Sequence, residues 1–218
     1  MASSGALDAI LSTSFISLLQ EFLGLLRQAA GFIAERRLQG LYDVLEQRRT
    51  VTLHDPHGRV ATVDTVQRLR FRQNHIAALV DYVWGDGDIL AAYTCSPGVP
   101  VDCHKEGSRY VVLISLRGLK NSGETLTFRT HRKIVGGFTR SEECWESDFY
   151  HRTRQAVVRI IFPRQRPCQR AVLSLRNAGK TTALGPQHLH RLPDGRQALV
   201  WAIKRPRLHE RYLLQWEW

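Results

Sequence analysis

The feature that most constrains the fold is a change in the spacing of apolar residues near Thr50. Between residues 7 and 48 they recur every three or four positions, which is the period of an α-helix. From Thr50 onward they alternate with polar residues, which is the period of a β-strand. A chain of 218 residues accommodates one ordinary domain plus an appendage. We therefore predict an N-terminal amphipathic helical arm at residues 1–49 and a β domain at residues 50–218.

The arm carries its longest pattern at residues 7–33, and a second helical pattern follows at residues 35–48. Gly31 and Gly40 leave open whether these form one long helix or two shorter helices. The apolar stripe is wider than a coiled-coil seam, so it needs a covering partner. Its predicted assembly or membrane face consists of Leu11, Phe15, Leu18, Phe22, Leu25 and Phe32.

Three partners for this stripe are conceivable. A membrane span would place Glu21 and Arg27 in lipid, at a cost of about 2.5–3.5 kcal/mol each near the bilayer centre. A helix lying flat on a membrane usually carries Lys and Arg along its polar face, and here a single Arg does so. The pattern therefore favours packing against other helices, either of this chain or of neighbouring subunits. Membrane engagement after assembly stays an open alternative.

The charge of the chain is unevenly distributed. The net charge is +11, but residues 1–50 contain five basic and five acidic residues, so the excess belongs to residues 51–218. Arg outnumbers Lys strongly, and its planar fork suits phosphate and carboxylate groups, although the base composition of the genome would also produce such a bias. A basic domain fits nucleic acid, acidic lipid or an acidic protein, and charge alone does not choose among them.

Arginines lie next to aromatic residues at three places, around Phe71, Phe149 and Phe162. On an alternating strand neighbouring side chains point to opposite faces, so a buried Phe implies an exposed Arg and cannot stack on a base. This argument favours a protein partner and keeps nucleic acid as an alternative. The predicted basic partner face consists of Arg68, Arg70, Arg72, Arg152, Arg154, Arg164 and Arg166.

The sequence of the β domain predicts nine to eleven short strands separated by turns, without helical crossovers. This pattern predicts a mainly β fold, an antiparallel β-sandwich with an immunoglobulin-like arrangement as one alternative. We expect a hairpin around the turn at residues 85–87 and a strand pair from residues 145–152 and 156–162. The last strand, residues 212–218, places Tyr212, Leu214, Trp216 and Trp218 on one face.

No motif predicts a cofactor or a metal. Cys95, Cys103 and His104 lack the close pairing of structural zinc ligands, and Cys144 is distant in sequence. Residues 177–182 resemble the end of a phosphate-binding loop, but the first required glycine is replaced by Ser174, so we expect a turn.

We therefore expect a non-catalytic interaction protein that binds a protein partner with its basic β domain. The helical arm would serve oligomerisation, complex assembly or membrane engagement. Nucleic-acid binding and a small Cys-dependent enzyme are the two alternatives. The four cysteines are too few for a disulfide scaffold, and the apolar run has no basic region before it, so we expect an intracellular, cytoplasmic protein with membrane association left open.

Overall fold

The computed structural model describes residues 40–218, which form one compact, mainly β unit. Fourteen strands and one short 3-10 turn, Pro186–His188, make up this part of the chain. The strands are β1 (Tyr42–Leu53), β2 (Val60–Phe71), β3 (Ile76–Val83), β4 (Asp88–Ser96), β5 (Val99–Glu106), β6 (Arg109–Lys120), β7 (Thr125–Val135), β8 (Glu142–Asp148), β9 (Gln155–Phe162), β10 (Arg170–Leu175), β11 (Lys180–Ala183), β12 (Leu189–Arg191), β13 (Gln197–Lys204) and β14 (Arg211–Glu217).

The strands form three sheets. A seven-stranded sheet has the order β12-β13-β9-β1-β2-β7-β4, a four-stranded sheet the order β11-β10-β14-β8, and a three-stranded sheet the order β3-β6-β5. Every neighbouring pair is antiparallel except β1 and β9, which run parallel. One hydrophobic core joins residues from all three sheets, among them Leu69, Ile114 and Trp216.

The alternation in the sequence produces the predicted two-faced strands. On β2, Leu69 and Phe71 are fully buried, whereas Arg68 and Arg70 are exposed. The C-terminal strand behaves as expected: its aromatic residues lie in the core, and the ring of Trp216 packs edge-on against Phe162. Residues 177–179 form the turn between β10 and β11, which confirms the prediction for that segment.

The helical prediction is wrong for Tyr42–Arg48, because this segment is the first half of β1. The strand also runs through the predicted boundary between residues 49 and 50. Two features hide the strand in the sequence. A register shift near Leu45 breaks the two-residue alternation, and two inward positions carry polar side chains, Gln47 and Arg49. The predicted assembly face from Leu11 to Phe32 lies outside the described residues.

The predicted strand pairings are also wrong. β3 and β4 flank the turn at residues 85–87, but they belong to different sheets, and so do β8 and β9. Tight turns here carry the chain from one sheet to another instead of closing hairpins. The division into three sheets and the parallel pairing of β1 with β9 differ from a purely antiparallel, immunoglobulin-like arrangement. β1 and β9 are about a hundred residues apart in the sequence, so no local pattern indicates that they pair.

Candidate functional site

The outer face of the seven-stranded sheet is strongly basic. The strand register places Arg48 of β1 beside Val66 of β2, and Val66 beside Arg129 of β7, so the outward positions of neighbouring strands form continuous rows. The parallel pairing sets Arg159 of β9 beside Thr50 of β1 on the same side. We call the exposed cations of these outward positions the basic face: Arg48, Arg68, Arg70, Arg129, Lys133, Arg159 and Lys204.

Few acidic residues neutralise the basic face. Three share its outward positions, Asp43, Glu46 and Asp64, and each has its own partner. Asp43 pairs with Arg72, Glu46 with Arg48 at 2.6 Å, and Asp64 contacts His131 at 2.8 Å. The other six cations of the basic face make no ion pair with any residue of 40–218. The face therefore carries positive charge that the described part of the chain does not balance.

Only part of the predicted partner face belongs to this surface. Arg68 and Arg70 lie on it, and Arg72 follows β2 directly. The loop before β9 carries Arg152 and Arg154. The loop after β9 carries Arg164 and Arg166. The eight residues of β9 span roughly 25 Å, so Arg152 and Arg154 lie at the opposite end of the strand from Arg164 and Arg166.

Arg166 has a structural role. Its guanidinium donates to the carbonyl oxygens of Trp218, Pro56 and Arg140 at 3.0–3.1 Å, and it lies 4.0 Å from the centroid of the Trp218 ring. These bonds tie the C-terminus to two loops. Sequence reasoning missed five members of the basic face, although the alternation of Arg129, His131 and Lys133 along β7 was a readable signal.

The inner face of the same sheet carries an unexpected polar group of residues. Arg49 on β1 lies in register with Thr65 on β2 and donates to its hydroxyl at 3.3 Å. Arg132 on β7 is only 7% exposed and donates to the carbonyl oxygen of Ile89 at 3.3 Å. From the three-stranded sheet, Asp81 accepts a hydrogen bond of 2.9 Å from the Tyr93 hydroxyl. We call these four residues, Arg49, Asp81, Tyr93 and Arg132, the buried cluster, in which Arg132 is buried and the other three are half-buried.

Burial shifts the ionisation of the buried cluster. It lowers the pKa of both arginines, that of Arg132 to about 10, and the charge of Arg49 contributes to the shift of Arg132. Burial also raises the pKa of Asp81, while the two arginines and the Tyr93 hydroxyl oppose that rise. The cluster thus contains two guanidiniums and one carboxylate. The cluster carries one excess positive charge when Asp81 is ionised and two when it is protonated.

The buried cluster borders an open cavity of about 570 Å³ lined by residues of all three sheets. Trp145 forms part of its wall, and both guanidiniums lie 5.6 Å from the centroid of this ring. The indole Nε1 of Trp145 is buried and has no hydrogen-bond partner among the described residues. Buried apolar side chains also line the cavity, and the charged residues outside the buried cluster that line it are exposed or half-buried: Asp86, Arg140, Glu142, Glu143, Glu146, Arg170 and Glu217.

The cysteines and histidines of the described chain do not converge. All four thiols are free, and burial raises the pKa of Cys95, Cys144 and Cys168, the last to about 11. A raised pKa keeps a thiol protonated at neutral pH and makes it a poor nucleophile. Within residues 40–218, no three His, Cys, Asp or Glu side chains are grouped to hold a metal ion. The same residues contain no helix that is long and apolar enough to cross a membrane.

No protein-family model and no curated protein matches the chain. Solved structures that align with it include an M1 zinc metallopeptidase from Deinococcus radiodurans, with 13% identity, 81% of this chain covered and a TM-score of 0.45. Aminopeptidase A from Legionella pneumophila aligns over 81% of this chain at 12% identity and a TM-score of 0.43. A putative protease from Parabacteroides distasonis aligns over 83% at 10% identity and a TM-score of 0.48.

The alignments cover 42%, 21% and 41% of those three proteins, respectively, so this chain spans less than half of each.

Proposed function

We propose that the protein is a non-catalytic interaction protein that recognises an acidic protein partner on its basic face. The observation that supports this proposal is the set of six exposed cations without an ion-pair partner in the described chain. Exposed cations on one side of a sheet attract a partner of opposite charge and orient it before contact. Residues 7–33, with their predicted amphipathic helix, would add self-association or membrane engagement.

The dimensions of the basic face suit a protein interface. Five neighbouring strands, spaced by roughly 4.8 Å, span about 20 Å, and β1 and β2, with 12 residues each, are about 40 Å long. Because β9 and β13 have eight residues each, the face is somewhat smaller than the product, roughly 800 Å², which is the area that each partner contributes to a standard interface.

Side-chain chemistry favours protein over nucleic acid. The outward positions of β1, β2, β7, β9 and β13 contain no Phe, Tyr or Trp. Proteins that bind single strands use such rings as stacking platforms, and proteins that read duplexes commonly insert a helix into the major groove. The basic face offers neither device. It offers guanidinium groups, which pair with carboxylates and phosphates alike, so the preference for a protein partner rests on the lack of stacking rings and of a groove-reading helix on this face.

A charge-neutralised variant tests the proposal. In Arg68→Gln/Arg129→Gln/Arg159→Gln, three strands each lose one cation of the basic face. The matched control, Arg117→Gln/Arg176→Gln/Arg207→Gln, removes the same charge from exposed positions elsewhere. We expect affinity for polyglutamate, measured by calorimetry at low salt, to fall at least tenfold in the first variant and to change little in the control.

Two results would contradict the proposal. Equal losses in both variants would mean that net charge alone attracts polyglutamate. Tight binding of polyuridylate by the wild type, with a steep salt dependence and no binding of polyglutamate, would favour the nucleic-acid alternative.

Deleting residues 1–39 tests the proposed role of the arm, because the compact unit begins at Gly40. We expect a folded protein with a lower native mass in light scattering. If the truncated chain unfolds or aggregates, the N-terminal residues are part of the core, and the proposal that they serve association rather than folding is wrong.

A further inference from the structure

The cavity beside the buried cluster has a volume typical of small-molecule sites. We propose that it takes a small apolar carboxylate, with the carboxylate at Arg49 and Arg132 and the apolar body along the wall of Trp145. This inference does not depend on the basic face, which lies on the opposite side of the seven-stranded sheet.

The charge of the buried cluster calls for an anion. A guanidinium removed from water without a counter-charge is costly, so an anion beside it would stabilise the cluster. The cluster holds two guanidiniums and the single carboxylate of Asp81, so its own side chains leave one positive charge in excess when Asp81 is ionised. A ligand carboxylate would supply one negative charge, which matches the cluster with Asp81 ionised.

The two arginines of the buried cluster approach the same aromatic ring. Arg49 and Arg132 come from β1 and β7, which are separated by β2, yet both guanidiniums lie 5.6 Å from the same ring centroid. Both guanidiniums therefore lie close to Trp145. Guanidinium N–H groups are donors, and a carboxylate is a pure acceptor with two oxygens.

The cavity has the size and the walls of a small-molecule site. Its volume of about 570 Å³ lies within the usual range of roughly 300–1,000 Å³. Ile89, Ile134, Phe138 and Trp216 line it in addition to Trp145. Such walls exclude a fully hydrated ion such as phosphate and favour a ligand with an apolar body.

Charged side chains outside the buried cluster also line the cavity, and they are exposed or half-buried. Five of these side chains are acidic and two are basic, and those two are already paired: Arg140 with Asp86 and Arg170 with Glu217, each at 3.3 Å. The remaining acidic residues are Glu142, Glu143 and Glu146. A cationic group at the far end of the ligand would therefore strengthen binding.

Three related compounds test the inference by calorimetry on the full chain. 4-Methylbenzoate carries the carboxylate, 4-methylbenzamide is its neutral counterpart, and 4-(aminomethyl)benzoate adds a cation at the other end. We expect the benzoate to bind about tenfold or more tightly than the amide, because a hydrogen bond to a charged group is worth more than one to a neutral group. We expect the aminomethyl compound to bind at least as tightly as the methyl compound.

The variants connect binding with the buried cluster. We expect Arg132→Met to abolish the difference between benzoate and amide without lowering the melting temperature, because it removes a buried, incompletely paired charge. Arg68→Gln on the basic face should leave benzoate binding unchanged, which separates this site from the proposed partner surface. Equal affinity for benzoate and amide, or no binding of either, would overturn the inference whatever the variants show.

Discussion

His151 provides a quantitative test of how burial controls the acid stability of this fold. Its ring stacks on Tyr42, with centroids 4.0 Å apart, and burial lowers the pKa of His151 from 6.5 to about 4. The nearby carboxylate of Asp43 opposes this shift but does not cancel it. The imidazole is therefore neutral in the folded protein at pH values at which the unfolded chain has already bound a proton.

The sign and size of the effect follow from proton linkage. Between pH 6.5 and pH 4 the unfolded state binds more protons, so the free energy of unfolding falls as the pH falls. With those two pKa values, His151 alone removes about 2 kcal/mol between pH 7 and pH 5. His151→Phe keeps an aromatic ring against Tyr42 and cannot be protonated.

Urea denaturation of wild type and His151→Phe at a series of pH values measures this contribution. We expect the stability difference between the two proteins to shift by about 2 kcal/mol from pH 7 to pH 5, in favour of the variant at low pH. His190→Phe, on the exposed strand β12, serves as the control and should follow the wild type. Parallel profiles for wild type and His151→Phe would refute the assignment of acid sensitivity to this ring.

Two further predictions concern backbone and loop contacts. Gly58 has φ +66°, and an added Cβ would lie 1.5 Å from the carbonyl oxygen of Phe138, so Gly58→Ala should cost more than about 2 kcal/mol in urea denaturation. Gly179→Ala, with φ +61° and open space around it, should cost only about 1 kcal/mol, and equal losses would contradict the steric argument. Arg166→Lys cannot keep three carbonyl contacts and should cost at least about 1.5 kcal/mol, whereas Arg164→Lys should be neutral; a silent Arg166→Lys would disprove the structural role of that side chain.

The sequence predicts strands well where one face is buried. β6 and β14 follow their apolar patterns, and the basic outer side of β2 follows from its alternation. Which strands pair cannot be predicted in the same way, because pairing depends on contacts between distant segments. Nothing local indicates that β1 joins β9 in parallel or that β3 leaves β4 for β6.

The basic face was easier to predict from the sequence than the buried cluster. Arg129 and Lys133 alternate with buried residues, so their exposure could have been inferred from the pattern of β7. The buried cluster could not, because Arg132 occupies an inward position and looks like a break in the pattern. Arg49 lies on β1, where the register shift near Leu45 breaks the alternation and gives the apolar residues a helix-like spacing. Polar residues at inward positions violate the alternation rule, and such violations are expected at functional sites.

The most direct test of the proposed function uses the five lysines of the chain as internal reporters. Carbodiimide coupling joins carboxylates of bound polyglutamate to nearby lysines, and mass spectrometry identifies the linked positions. Lys133 and Lys204 lie on the basic face, whereas the other three belong to strands of the two smaller sheets. We expect links at Lys133 and Lys204, suppressed by salt. Equal labelling of all five, or labelling concentrated at Lys105, Lys120 and Lys180, would contradict the account.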